Sequence, residues 1–209
     1  MTGGVNAQAQ KQLEANFTGR NIAVAWLGTF DEAKRYLLQQ IPPGATIGIG
    51  NSQTLKAMEM TQALCEKGHT VYDKTFGKTP EEVKTLKRQA LLTDVYISGA
   101  NAVSADGQIV NIDHSGNRVA ALAYGPERVY IVVGKNKITS TYEAALYRAR
   151  NTAAPLNARH AGYHPPCTVV GHCTDCHSPQ RVCFNLSVIE GQHEKHRMTL
   201  LIVDEEEGF

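Results

Sequence analysis

The chain alternates short apolar runs with longer stretches of mixed polarity from end to end. Ile22-Ala23-Val24-Ala25-Trp26, Thr46-Ile47-Gly48-Ile49-Gly50, Asp94-Val95-Tyr96-Ile97-Ser98, Val129 to Val133 and Met198 to Val203 have the length and near-continuous hydrophobicity of strands buried on both faces. A shorter strand is predicted near Val71. Helices are predicted over the polar opening segment to about Phe17, over Asp31 to Gln40, Ser52 to Lys67, Pro80 to Leu92 and Tyr142 to Thr152. Pro80 suits a first helical turn, and Glu81 and Glu82 complement the helix dipole there. Ala102 to Ile112 reads as a hairpin turning at Asp106-Gly107, a dipeptide that accepts positive φ. Strands alternating with helices predict an α/β sheet fold. No repeat or linker interrupts the pattern, so the 209 residues predict one domain, 1–209, able to bury about 70% of its unfolded surface.

Charge narrows the range of partners. With 21 basic and 20 acidic residues and no basic block, nothing favours nucleic acid or an anionic membrane. No apolar run approaches the ~20 residues of a membrane span, and the N-terminal stretch lacks a signal pattern, so a cytoplasmic protein without membrane insertion is expected.

Four of the five cysteines, Cys167, Cys173, Cys176 and Cys183, fall in the stretch CTVVGHCTDCHSPQRVCF. Thiolates are the soft ligands that zinc and iron–sulfur clusters select, and four of them complete either kind of site. Pro165, Pro166, Gly171, Asp175 and Pro179 break up the segment, which predicts an irregular metal-binding loop at about 164–184. The spacing C-x5-C-x2-C-x6-C matches neither a two-pair zinc ribbon nor a bacterial ferredoxin run, so an iron–sulfur cluster and zinc both stay open. His164, His172 and His177 are alternative ligands. Uncoordinated thiols or a reversible Cys173–Cys176 disulfide are the bland alternatives, and a reducing cytoplasm weighs against the disulfide.

Three loops are candidates for ligand binding. Gly48, Gly50, Asn51 and Ser52 lie where a buried strand gives way to a helix, where backbone N–H groups meet an anion; Asn51 or Ser52 as a plain helix cap is the alternative. Ser98, Gly99, Asn101, Asn111, Asp113, Asn117 and Arg118 follow the next strand, and the Arg118 guanidinium offers a planar fork for a carboxylate or phosphate. Lys135 and Lys137 follow the strand ending at Val133, with a solvated turn as the alternative. Open α/β sheets bind ligands beyond the carboxyl ends of their strands, so these residues are expected around one cleft. No G-x-S-x-G or H-E-x-x-H motif is present, and Cys65 reads as a core residue of a helix.

In GIGNSQTL, TDVYISGANAVSADGQIVNIDHSGNRVAALAYGPERVYIVVGKNKI and AALYRARNTAAPLNARH, from about Ile41 to His160, the chain resembles the LUD family of lactate-utilization domain proteins, LutC-like members included. The cysteine tail resembles that of a subset of the family. The resemblance implies a three-layer α/β/α sandwich similar to the ribose-phosphate isomerase, CoA-transferase and formyltetrahydrofolate cyclo-ligase superfamily. It also implies a role in bacterial oxidation of lactate to pyruvate, as a subunit or accessory factor beside iron–sulfur oxidoreductase subunits. Candidate partners are a small anionic metabolite, those subunits and further copies of the chain. The alternative is a stand-alone enzyme or binding protein for a phosphorylated, carboxylated or CoA-linked ligand, with a structural zinc. No catalytic residue carries over.

Overall fold

The apolar runs pair with one another. In the computed structural model, which describes residues 7–209, the chain forms α1 (Ala7–Thr18), β1 (Ile22–Leu27), α2 (Phe30–Gln40), β2 (Thr46–Ile49), α3 (Gln53–Ala57), α4 (Met60–Glu66), β3 (Thr70–Tyr72), α5 (Pro80–Gln89) and β4 (Val95–Ser98). There follow β5 (Ala102–Ser104), β6 (Ile109–Asp113), α6 (Asn117–Ala123), β7 (Arg128–Gly134), β8 (Ile138–Thr139), α7 (Tyr142–Arg148), α8 (Ala154–His160), α9 (Cys167–Val170), β9 (Asn185–Ile189) and β10 (Met198–Val203). The start of the opening segment, 1–6, lies outside the described residues.

Six strands make one parallel sheet in the order β1-β10-β7-β4-β2-β3. Both faces are covered, as their sequences require. On one side Leu37, Leu55, Met60 and Leu64 from α2, α3 and α4 pack on Ile47, Ile97, Val132 and Leu201. On the other, Leu13 and Phe17 of α1 and Leu122 of α6 pack on Ile22, Ile131 and Leu200.

A second, four-stranded sheet was not foreseen. Its order is β8-β5-β6-β9, with the Asp106-Gly107 turn joining β5 and β6 and Gly107 at φ 98°. Its outer face packs on a long helical segment, where Ala102, Val110 and Ile112 meet Ala145, Ala149 and Ala154. The sequence predicts a helix to Thr152; instead α7 passes through a π turn at Ala149–Ala153 into α8, which runs on to His160. Pro155 explains the turn, since it has no N–H for the regular ladder. The helix expected over Ser52 to Lys67 is likewise split, at Glu59 with φ 51°. A continuous helix would point Met58 and Met60 to opposite sides, whereas the break buries both.

Gly48 and Gly50, expected to cradle an anion, instead allow close packing. A Cβ on Gly48 would stand 2.6 Å from the Ala90 carbonyl oxygen, and one on Gly50 2.6 Å from Ser98 Oγ. Gly48→Ala is therefore expected to lower stability by roughly 1–3 kcal/mol through overpacking against backbone. Chemical denaturation of the variant measures this, and an unchanged midpoint would mean that the packing of β2 against the Ala90 backbone is looser than described.

Candidate functional site

Residues that follow three adjacent parallel strands converge on one cleft of about 260 Å³. Asn51 and Ser52 come after β2, Gly99 and Asn101 after β4, and Lys137 after β7. The end of β6 and the start of α6 contribute Asp113, His114, Asn117 and Arg118, while Lys74 and Lys87 enter from the α5 side. Ser52 also caps α3, its Oγ accepting from the Leu55 N–H at 3.4 Å, so cap and cleft roles coincide. Gly99 lets the β2 and β4 loops meet, since a Cβ there would stand 2.6 Å from Ser52 Oγ.

Arg118 is held, not loose. Its Nη2 donates to the Ile112 carbonyl at 2.6 Å and to Asn101 Oδ1 at 3.1 Å, and its Nε stands 3.7 Å from Asp113 Oδ1. Asn101 Oδ1 also accepts from the Ile112 N–H at 2.8 Å, and the Asn101 carbonyl accepts from Arg148 Nη1. Lys87 Nζ donates to Ser115 Oγ at 2.9 Å, which in turn donates to Asn117 Oδ1 at 3.0 Å. Around this frame, burial lowers the pKa of Lys74, with Lys87 and Lys56 adding to the effect. Burial also lowers that of Arg148.

Lys137 is a buried lysine, 4% exposed, not a solvated turn residue. Its Nζ donates to Thr54 Oγ1 at 3.1 Å. Desolvation first, then the Arg148 and Arg118 charges, push its pKa down to about 8. The Tyr96 hydroxyl, whose pKa burial raises, and the Asn111 amide are buried without hydrogen-bond partners, as is Trp26 Nε1 on β1.

Of the residues expected at the cleft, Asn51, Ser52, Gly99, Asn101, Asp113, Asn117, Arg118 and Lys137 line it. Gly48, Gly50, Ser98, Asn111 and Lys135 stand outside its lining. Ser98 and Asn111 are fully buried on their strands, and Lys135 pairs with Asp204 at 3.0 Å. Sequence reasoning did not foresee Lys74, Lys87, His114 or Tyr163, which only the fold brings to the cleft. It also misplaced Cys65, which is exposed because its turn of α4 faces away from the sheet.

The cysteine segment forms a second, smaller cavity. Cys167, Cys173, Cys176 and Cys183 all line it, with Arg150, Arg181, Ile112, Ala154, Pro165 and Val182. All four are free thiols, and the other three add to burial in raising the pKa of Cys167. The segment is pinned by Asn151 Oδ1, which accepts from the Cys173 N–H at 3.1 Å, and by Arg181, which donates to the Cys176 and Cys183 carbonyls at 3.0 Å each. The cysteines thus share one cavity but do not converge on one ion: among the described residues no three His, Cys, Asp or Glu side chains are placed to hold a metal ion. His164, His172 and His177 are not part of the lining.

Because Lys137 has a folded pKa of about 8 against an ordinary 10.5, the fold disfavours its charged form. The unfolded chain binds more protons between those values, so this group costs stability below about pH 8 and the cost is relieved as pH rises toward 10.5. At neutral pH the shift corresponds to roughly 3 kcal/mol. Lys137→Met is expected to be more stable than the parent at pH 7, with the difference shrinking across that window; denaturation at a series of pH values measures it.

Among solved structures the chain is similar to a DUF162 family protein from Deinococcus radiodurans, over 94% of this chain and 97% of that one, with 14% identity and a TM-score of 0.56. Weaker likenesses join it to ribose 5-phosphate isomerase A from Neisseria gonorrhoeae, at 22% identity over 55% of this chain and 56% of that one with a TM-score of 0.34. The same enzyme from Methanocaldococcus jannaschii gives 15%, 64%, 66% and 0.37 respectively. The likeness to the DUF162 family protein concerns fold alone. No curated protein matches the chain. Among the described residues no helix is long and apolar enough to cross a membrane. The LUD domain model matches residues 10–203, nearly the whole chain, and the chain belongs to the LUD domain family.

Proposed function

We propose that this chain is a component of bacterial lactate oxidation that holds a small carboxylate in the cleft and a cysteine-ligated metal centre beside it. One observation supports the ligand class above the others: Lys74, Lys87, Arg118 and Lys137 line the cleft, with Asp113 as its one acidic side chain. Lowered pKa values at Lys74 and Lys137 mean that positive charge is costly there without an anion. Size supports a small ligand, since about 260 Å³ lies below the roughly 300–1,000 Å³ of drug-sized sites. A CoA-linked ligand would place only its acyl end inside.

Membership of the LUD family supports the lactate pathway over other carboxylate chemistry. Iron–sulfur oxidoreductase subunits are the partners this reading calls for. Exposed Val169, Val170, Phe184 and Leu186, on or beside the cysteine segment, offer apolar surface for one. The four thiols facing a single cavity support a metal centre there.

Calorimetric titration with L-lactate, pyruvate and inorganic phosphate, against neutral lactamide, tests the cleft. The anions are expected to bind, more weakly as salt rises, and lactamide not to bind. Arg118→Ala removes a charge-assisted pair and is expected to weaken binding by about 10–100-fold. Because Arg118 also holds Ile112 and Asn101, cooperative unfolding of the variant is checked, and Lys87→Ala at the outer wall gives an independent, several-fold loss. Absence of anion binding to the parent protein, or equal affinity in both variants, would overturn the reading.

A further inference from the structure

Arg118 and Lys137 belong to one hydrogen-bonded frame. Arg118 Nη2 donates to Asn101 Oδ1 at 3.1 Å, and Arg148 Nη1 donates to the Asn101 carbonyl. Arg148 Nε donates in turn to the carbonyl of Asn136, next to Lys137, at 3.0 Å. Asn101 follows β4 and Lys137 follows β7, which are adjacent strands of the parallel sheet, and both residues line the cleft together with Arg118. A guanidinium and an amine are thus fixed on the walls of one small volume.

The two groups suit different tasks. Arg118 Nη2 and Nε are engaged by Asn101, Ile112 and Asp113. Among the described residues none accepts from its Nη1, which is left for a carboxylate. Lys137 forms no salt bridge among the described residues. Thr54 fixes the direction of its hydrogen bond: the hydroxyl has one hydrogen, which Oγ1 donates to the Glu207 carbonyl at 3.4 Å, so toward Lys137 Nζ at 3.1 Å it accepts. A neutral amine has two N–H groups and one lone pair. Thr54 takes an N–H and leaves the lone pair for an electrophile.

The chain beyond β10 covers the amine. Gly208 comes so near that a Cβ on it would stand 3.0 Å from Lys137 Nζ, and Phe209 lines the cleft with its ring against His160. Desolvation, then the Arg148 and Arg118 charges, outweigh Glu207 and hold the amine at a pKa of about 8, so about a tenth of it is neutral at pH 7. Burial beside other cations is how a lysine becomes a nucleophile toward carbonyl carbon. The matching electrophile has a carboxylate for Arg118 and a carbonyl on the next carbon. A 2-oxo acid has both, whereas a 2-hydroxy acid has only the first.

We infer that the cleft is a carbonyl-condensing site, in which Lys137 forms a reversible imine with a 2-oxo acid whose carboxylate Arg118 holds. This deepens the reading above and rests on its anion cleft. The neutral amine adds to the C2 carbonyl: an N–C bond forms, and the carbonyl π bond opens to a hydroxyl that takes the proton released by nitrogen. With one further proton from solvent the hydroxyl leaves as water, and the nitrogen lone pair closes the C=N bond of a protonated imine. Nothing is oxidised or reduced, and hydrolysis reverses the step.

The test incubates the full chain with pyruvate and cyanoborohydride, which adds hydride to an imine, and maps the product by mass spectrometry. One reduced pyruvyl group per chain is expected, on Lys137, and none with L-lactate. Lys137→Arg is expected to fold cooperatively, bind pyruvate in calorimetry and take no label. Lys135→Ala, outside the cleft lining, is expected to label like the parent. Arg118→Ala is expected to label about 10–100-fold more slowly at low pyruvate. Calorimetric binding of pyruvate without an adduct, or with adducts spread over surface lysines, overturns the imine and leaves the cleft reading standing. Protein that binds none of the anions and takes no label overturns both.

Discussion

The site depends on one side chain amide. Asn101 lies just past β4, where the parallel sheet ends and the second sheet begins, and both its backbone and its side chain are engaged. Its N–H donates to the Val110 carbonyl at 3.1 Å and its own carbonyl accepts from Arg148, so one residue ties β6 and α7 to the end of β4. Its Oδ1 accepts from the Ile112 N–H and from Arg118, which fixes the cationic hook relative to the sheet. An aspartate here would accept the same bonds but would add a second carboxylate beside Asp113 and cancel part of the cleft's positive charge. The neutral amide adds no second negative charge there.

Local rules are broken both in the cleft wall and on the strands behind it. Lys137 is buried with the Thr54 hydroxyl accepting from its Nζ, Tyr96 and Asn111 carry unpartnered buried polar atoms, and Arg148 is partly desolvated. Each disfavours the folded state unless something else compensates. The parallel sheet, with Ile131, Val133, Leu200 and Ile202 fully buried, supplies that compensation at a distance. Such a division, a conventional core carrying an unconventional rim, is expected of a binding site and not of a scaffold alone.

The sheet was legible because strands buried on both faces must be nearly continuous in apolar residues, and Val129 to Val133 and Met198 to Val203 cannot be read otherwise. What escaped notice lacks that signature. In β9, Asn185-Leu186-Ser187-Val188-Ile189 buries only Ile189 and sits at a sheet edge, so its pattern is weak. The loops after β2, β4 and β7 were legible as walls of one cleft from strand-end logic, which placed Ser52, Asn101 and Lys137. Gly48, Gly50 and Ser98 stand outside that lining: Ser98 is fully buried on β4, and a Cβ on either glycine would crowd its neighbours. Lys74 and Lys87 could not be found from sequence, since nothing local distinguishes them from the surface lysines around them.

The order of the chain constrains how the cysteine segment relates to the rest. β10, the last strand, lies between β1 and β7, and β1 has no other partner in the sheet. The parallel sheet is therefore incomplete until the chain has passed through residues 161–197, including the cysteine segment and β9. Such long-range pairing closes late, because loop closure must precede the contacts that reward it. A segment in that position cannot impose its own geometry on the sheet without hindering closure. Apart from the short α9 it is irregular, and two arginines and an asparagine, not a core of its own, hold it in place. That arrangement leaves the segment to settle last, over a cavity whose fixed wall is Ile112 of β6 and Ala154 of α8.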